Sequence, residues 1–577
     1  MSFEIRENEF YKDGKPIKIL SGAVHYFRNM PDTWRDIFKK MKAMGLNCVE
    51  TYCAWNMHEP KPGVYNFENN LDINKFIKIA DEEGLMVIVR AGPYICAEWE
   101  FGGLPWWIMT DENMEIRCMN PEYIDCFEKY LDKLFEQVRP NLITNGGPVI
   151  MMQCENEYGY YGDDKEYLSH LYKFFREKGI DVPLFTSDGT SRECLLDGTI
   201  DGCLPTVNCG SRMKEGFRVH EELFPGTPKM CMEMWNGWFD HWGEEHHTTS
   251  TDAYAESLKD MIELGSFNIY MFIGGTNFGF MSGASHGEKF MPDVTSYDYD
   301  ALLTEWGDVT PKYMKMREII GEFLGEELPS VPENRKKKAY GKVELTDWCS
   351  LIPNIENLSS PIESKVPKYM EYYGTGYGYI AYTTTLNRDY FDCELKFEDI
   401  GDRAYIFIGN VLKGIIYIND EELSLKFSAK AGDEMIILVE NMGRTNFGPK
   451  IMRKKGILGR VLMDGRTHFN WQVYPLEMNN LELLDYNLKD SSKVSFYKGI
   501  FEVDECFDTF LRTDNFKKGF VLINGFNIGR YWEIGPQKTL YVPASLLKKG
   551  ENEIILFESE GTKGETVVEF VDVPEIG

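Results

Sequence analysis

Residues Pro148–Cys154, PVIMMQC, constrain the fold of this chain more than any other stretch. Val149, Ile150, Met151 and Met152 follow one another without a polar partner, so a strand here must be covered on both faces. That is the situation of a strand in a parallel sheet roofed by helices. Immediately beyond it stand Glu155, Asn156 and Glu157, followed by Tyr158, Tyr160 and Tyr161. Parallel α/β folds carry their chemistry at the carboxyl ends of the strands, which makes this end a candidate site. Two acids and an amide among tyrosines suit a sugar. Aromatic faces stack on the ring, amides hold hydroxyls, and a carboxyl partly withdrawn from water keeps a proton near neutral pH.

The same kind of run recurs. Strand-like segments at Ile17–Val24, Leu46–Tyr52, Leu85–Ala91, Pro148–Cys154, Pro183–Ser187, Leu204–Asn208, Lys229–Glu233 and Phe267–Phe272 alternate with amphipathic stretches. Asp32–Met44, Ile73–Glu83, Glu122–Val138, Lys165–Lys178 and Ala253–Leu264 repeat apolar residues at three- and four-residue spacing, and Pro311–Leu324 supplies a closing helix. Eight such units predict an α/β fold of the TIM (β/α)8 barrel type over residues 1–325. The fifth and sixth units are the weakest, because SRECLLDG gives no clear helix.

A chain of 577 residues exceeds one core, and its second half changes character. Residues 326–341 combine prolines with the basic run Arg335–Lys338, which reads as a solvated linker. Beyond it the hydrophobic period falls to two, in Tyr377–Leu386, Ala404–Ile408, Ile415–Ile418, Glu434–Glu440 and Phe520–Ile523. These short strands, broken by Gly, Asn and Asp turns, predict two all-β sandwich or jelly-roll modules, at 342–484 and 485–577.

A net charge of −30 and a pI near 4.8 exclude nucleic acid and anionic membranes as partners, since the field of the chain repels phosphate. A neutral substrate fits. No apolar run approaches the roughly 18 residues of a membrane span, and the opening MSFEIRENEFYKDGK has no signal-peptide pattern, so a cytoplasmic location is expected. The thirteen cysteines show no C-x-x-C and no zinc-type spacing with histidine. Free core thiols, no metal and no organic cofactor are therefore expected, while a homodimer is left open.

Four more strand ends carry acids, amides or aromatics. The second runs into Tyr52, Trp55, Asn56, His58 and Glu59, and the third into Arg90, Tyr94, Cys96, Ala97, Glu98, Trp99 and Glu100. The seventh ends MEMWNGWFDHW, with Glu233 at its tip and Trp235, Trp238 and Trp242 following; the eighth carries Tyr270 and then GGTNFGF. In a parallel barrel all these ends meet on one face. Several carboxylates aimed at one cleft repel one another unless some are protonated, bridged or used.

These segments resemble glycoside hydrolase family 35, the β-galactosidases of the clan of retaining (β/α)8 glycosidases. SGAVHYFR, NCVETYCAWNMHEPKPGVYNF, RAGPYICAEWEFGGLPWW, QCENEYGYYG, EMWNGWFDHWG, GGTNFGFMSGA and TSYDYDALLTEWG carry the resemblance in order along the whole barrel, and GRYWEIGPQKTLYVP resembles the family's terminal, galactose-binding-like β domain. The resemblance implies Glu157 as general acid/base and Glu233 as nucleophile, and a retaining enzyme needs these carboxyls about 5–5.5 Å apart. It implies a galactose pocket of Tyr52, Cys96, Ala97, Glu98, Asn156, Tyr270 and Tyr299, with Asn156 on the sugar's 2-hydroxyl. Trp235, Trp238 and Trp242 form a candidate platform for the leaving group, and Asp240 is the runner-up nucleophile. Phe280 departs from the tyrosine of some relatives and is expected at the pocket rim. The activity implied is exo-acting β-galactoside hydrolysis. A β-glucosaminidase and a catalytically silent galactose-binding protein are the rivals.

Overall fold

The computed structural model describes residues 2–577. Eight parallel strands close into a barrel in the order of the sequence: Leu20–Val24, Cys48–Tyr52, Met86–Arg90, Val149–Gln153, Leu184–Gly189, Cys203–Asn208, Met230–Trp235 and Ser266–Ile273. Nearly every residue in them is buried, as strands lined inside by side chains and outside by helices must be. Each expected strand is present, to within three residues at either end.

The covering helices begin where the chain supplies caps. Asn120 accepts the Tyr123 amide ahead of Pro121–Val138, Asp72 accepts Lys75 ahead of Ile73–Glu82, and Thr310 accepts Tyr313 ahead of Pro311–Leu324. The two units that sequence left without helices have them. Arg192–Gly198 is only seven residues long, and Met213–Leu223 turns Gly216 and His220 inward where apolar residues were to be expected.

Beyond the barrel stand two sandwiches. In the first, a six-stranded sheet containing Tyr379–Thr385, Arg403–Ile408 and Glu434–Glu440 packs on a four-stranded sheet around Tyr390–Phe397. In the second, a five-stranded sheet built on Ser495–Val503 and Gly550–Glu558 packs on a four-stranded one that includes Val567–Val571. A further core in which Tyr379, Phe407, Phe496, Phe520 and Phe557 meet joins the two sandwiches face to face.

Two expectations about the junction are corrected. Gly341–Glu344 and Asp347–Ser350 pair with Val567–Val571 and Ser495–Val503, so the chain first adds two strands to the C-terminal sandwich and only then builds the first one. A division at 484 therefore crosses the topology. The basic run is no solvated linker either. Arg335 pairs with Asp508 at 3.0 Å and Asp32 at 2.9 Å, Lys337 with Asp308 at 2.5 Å, and Lys338 with Asp504 at 2.5 Å. Carboxylates from the barrel and from the last sandwich thus hold it in place.

Barrel and first sandwich are locked by a buried ionic triad. Arg444 contacts Glu100 at 2.6 Å and Glu371 at 2.5 Å, and all three side chains are sealed from solvent. Removing the cation leaves two uncompensated carboxylates, so Arg444→Met should lower unfolding free energy by about 3–5 kcal/mol, read from denaturation midpoints. Adding Glu100→Gln and Glu371→Gln to that variant should restore most of the loss.

Candidate active site

The carboxyl ends of the second, third, fourth and seventh strands converge on one buried cation. Arg90, at the end of the third strand, contacts Glu233 Oε1 at 2.7 Å, donates to Asn156 Oδ1 at 2.6 Å, donates to Gln153 and lies 3.8 Å from Glu50 Oε1. Its guanidinium stacks on the Tyr52 ring at 4.0 Å. Glu233 receives two further donors: Tyr52 Oη lies 2.7 Å from Oε1, and Trp235 Nε1 donates to Oε2 at 3.0 Å. A carboxyl gripped by a guanidinium, a phenol and an indole is fixed in its orientation.

Glu157 has the opposite surroundings. Burial first, and then the negative charge of Glu233, push its pKa up to about 8, although Asn208 and the charge of Arg90 pull the other way. Asn208 is the register partner of Glu233 on the adjoining strand and donates Nδ2 to Glu157 Oε1 at 3.1 Å. One amide therefore bridges the strand of one acid and the carboxyl of the other. Glu157 also sits in the left-handed region, at φ 46° and ψ 41°, as does Glu155 at φ 61°. Such conformations cost on the order of 1–3 kcal/mol each and persist where surrounding contacts impose them.

Those contacts are visible at Glu155. It takes both Arg117 donors, at 3.0 and 2.8 Å, and the Tyr167 hydroxyl at 2.9 Å, deep in the fold. Tyr158 donates to Arg117 O, and Tyr161 covers the Arg117 guanidinium. Glu155, Tyr158 and Tyr161 consequently brace the turn that carries Glu157. Of the three tyrosines Tyr158 is buried, while Tyr160 and, to a lesser extent, Tyr161 are exposed.

The remaining expected residues assemble on the far side. Cys96, Ala97 and Glu98 are three consecutive left-handed residues, at φ 58°, 58° and 48°. Glu98 accepts the Tyr297 hydroxyl at 2.5 Å, and burial raises its pKa to about 7 against that bond and the charge of Arg28. Tyr270 lies edge-on to Tyr52 at 6.4 Å and to Tyr299 at 5.6 Å. The loop bearing Tyr297 and Tyr299 approaches the strand ends so closely that a Cβ on Gly274 would stand 1.5 Å from Tyr297 O, and one on Gly237 1.7 Å from Tyr299 O. Asn156 Oδ1 is ringed by Tyr52, Arg90 and Gln153, which leaves Nδ2 as its donor, directed at Ile95 O at 3.5 Å.

Three expectations change. Trp235 and Trp238 meet edge to face at 5.9 Å, and Trp238 is exposed. Trp242 is not part of that platform: its amide donates to Pro292 O and its ring faces Trp532 of the last sandwich at 6.4 Å. Phe280 is not at the pocket rim; it packs on Phe520 at 5.1 Å beneath Arg530, between domains. Asp240 is occupied by His246 and His247, whose Nδ1 atoms lie 2.6 and 2.8 Å from it, and so fits a structural anchor.

Sequence reasoning passed over Asn208, Tyr297, Arg28 and Asn446. The first three close strand ends or follow them, a position that could have flagged them. Asn446 gives no such signal, because it comes from the first sandwich: it donates to Cys96 Sγ at 3.5 Å, and its carbonyl accepts the Tyr94 hydroxyl at 2.6 Å. Its neighbour Phe447, also exposed, meets Tyr160 edge-on at 6.1 Å. All thirteen cysteines are free. Among the described residues there is no cluster of metal-ligating side chains, and no helix is long and apolar enough to cross a membrane.

Comparison with known proteins fits this arrangement. A family model described as "Glycosyl hydrolases family 35" matches residues 9–323. Models for the β-galactosidase first all-beta domain and galactose-binding domain match 367–477 and 494–552. The chain is 39% identical to a β-galactosidase of Bos taurus, over 99% of this chain and 93% of that protein. It is 40% identical to one of Mus musculus, over 99% and 94%, and 39% identical to one of Homo sapiens, over 100% and 91%.

Burial raises Glu50, Glu98, Asp188 and Glu305 to about 7, and Glu157 to about 8. Between the ordinary carboxyl range and those values the folded chain holds protons that the unfolded chain has released. Stability is therefore greatest at the acid side of this window and falls as pH rises through it. Melting temperature should decline steadily from pH 5 to pH 8.5, and Glu98→Gln with Glu157→Gln should flatten the slope; a melting temperature that rises across this range contradicts the assignment.

Proposed function

The chain belongs to glycosyl hydrolase family 35 and is a β-galactosidase, and from that premise we propose that it removes terminal β-linked galactose by double displacement with retention of configuration. The observation that carries this reading is the contrast in surroundings between Glu157 and Glu233. Burial and its neighbour's charge push the Glu157 carboxyl up to about 8, while Arg90, Tyr52 and Trp235 all aim donors at Glu233.

In the first step Glu233 attacks the anomeric carbon as the bond to the leaving oxygen breaks, and Glu157 gives that oxygen its proton. The departing group leaves as a neutral alcohol, and the galactosyl unit remains esterified to Glu233. Glu157, now ionised, takes a proton from water, whose oxygen replaces Glu233 at the anomeric carbon. Both carboxyls end as they began. Asn156, its Oδ1 already held by Tyr52, Arg90 and Gln153, serves the 2-hydroxyl through Nδ2, where hydrogen bonds strengthen as positive charge develops on the ring. Cys96, Ala97, Glu98, Tyr270 and Tyr299 enclose the galactose. That enclosure supports removal of chain ends over internal cleavage.

Trp238, exposed beside Trp235 and 6.4 Å from Tyr299, is positioned to stack on the leaving sugar. Trp238→Ala should raise KM for a disaccharide more than for a small aryl galactoside; equal effects on the two remove it from that role.

Loss of the nucleophile ends turnover. Glu233→Gln should lower kcat by several decades, on the order of 10⁴-fold or more. Proton NMR of the wild-type reaction should show β-galactose before mutarotation. First appearance of α-galactose, or a Glu233→Gln enzyme that keeps most of its rate, overturns the double displacement.

A further inference from the structure

Glu157 is held from the fifth and sixth barrel strands as well as from its own. Its amide donates to Ser187 O at 2.9 Å, Ser187 Oγ donates to Asn208 Oδ1 at 2.6 Å, and Asn208 Nδ2 donates to Glu157 Oε1 at 3.1 Å. The three bonds close a circuit that begins and ends on the acid. Ser187 and Asn208 are both buried, so water does not compete for these partners. Ser187 occupies the single oxygen of the amide, which leaves Nδ2 to face the carboxyl.

The same strand position is tied to the nucleophile. Asn208 is the register partner of Glu233, and the next amide, that of Cys209, donates to Glu233 O at 2.9 Å. One point on the sixth strand therefore meets Glu157 by its side chain and Glu233 by backbone pairing. On the opposite flank Asp188 Oδ1 accepts the Gly159 amide at 2.9 Å, which holds the turn beyond Glu157 to the fifth strand.

The consequence concerns the two oxygens of Glu157. Oε1 accepts an N–H, the part an unprotonated oxygen plays best, while Oε2 makes no hydrogen bond among the described residues. We propose that Asn208, oriented by Ser187, is a positioning residue that reserves Oε2 of Glu157 as the oxygen bearing the transferred proton. The proposal rests on Glu157 being the acid/base. In the first step the proton leaves Oε2 for the departing oxygen, which keeps the electron pair of the broken bond, while Glu233 supplies the pair for the new one. In the second step Oε2 recovers a proton from water as the water oxygen displaces Glu233. The amide N–H stays on Oε1 throughout: it stabilises the carboxylate that exists between the steps and cannot itself take the proton.

Charged or titrating groups facing Glu157 are Glu233, Arg90 and Asp188, from the seventh, third and fifth strands. Tyr94, Cys96, Tyr160, Cys194 and Tyr299 also face it, and burial keeps all five protonated through neutral pH. Against burial, Glu233 and Asp188, the Asn208 amide and Arg90 are what favour the ionised form of Glu157.

The test compares kcat/KM of the full chain for two galactosides: lactose, whose leaving oxygen needs a proton, and a dinitrophenyl galactoside, whose leaving group departs without one. In Asn208→Ala the loss on lactose should exceed the loss on the dinitrophenyl substrate by about tenfold or more. The alkaline limb of the lactose profile should move up by about one pH unit, because a donor that favours the carboxylate is gone. Ser187→Ala should give the same pattern at smaller size, and Ser187→Thr, which keeps the hydroxyl, should restore the wild-type ratio. Reaction with the dinitrophenyl substrate reports in each variant that the barrel is folded. Equal losses on the two substrates in Asn208→Ala, or a limb that stays in place, overturn the proposal, as does a wild-type ratio in Ser187→Ala. Glu157→Ala separates this role from the reading beneath it. If that variant spares the dinitrophenyl substrate while Asn208→Ala does not, the role of Asn208 alone is overturned; if Glu157→Ala loses both substrates equally, the acid/base assignment falls and takes this role with it.

Discussion

One guanidinium sets the electrostatics of the barrel mouth. Arg90 is fully buried and faces two carboxylates, Glu50 and Glu233, in a region where water cannot screen them. A single positive charge cannot neutralise two negative ones, and Glu157 adds a third acid to the same neighbourhood. Burial raises Glu50 to about 7, and burial with the charge of Glu233 raises Glu157 to about 8, while Glu233 keeps the closest contact to the cation. The same side chain aligns the amides of Gln153 and Asn156 and lies flat on Tyr52. Glu233, Gln153, Asn156 and Tyr52 are thus oriented from one point, which is the economy expected of a preorganised site.

Much of this was legible in the residues. Runs such as Val149–Met152 have only one stable environment, so eight of them, spaced by amphipathic stretches, leave little choice but a barrel. The two helices that escaped notice show the limit of periodicity. In Met213–Leu223 the inward face includes His220, whose Nε2 meets Pro205 O, and a histidine used as core does not register as apolar. The basic run Arg335–Lys338 misled for a related reason. Its carboxylate partners, Asp32, Asp308, Asp504 and Asp508, are scattered along the chain, so nothing local distinguishes a pinned strap from a solvated one.

In the site the pattern repeats. Glu157 and Glu233 announce themselves at strand tips, Tyr52, Glu98 and Tyr270 follow from the convergence that a barrel imposes, and Tyr299, far beyond the last strand, was indicated only by the family resemblance. Trp242 shares a short segment with Trp235 and Trp238, yet the loop turns between them and delivers it to Trp532. Composition within a segment cannot reveal that turn. Asn446 is the clearest case of what sequence conceals, since its contact with Cys96 exists only because a separate sandwich docks on the barrel.

That docking has a bearing on how such an enzyme diversifies. The left-handed triplet Cys96–Glu98 is braced from outside the barrel, by Asn446 directly and by the Arg444 triad two residues away. A change in the 444–447 segment can therefore reshape the floor of the pocket without altering any barrel residue. Selection on a domain that lacks catalytic groups becomes selection on catalysis, and grafting this barrel onto a foreign β module would hand over an incomplete mouth.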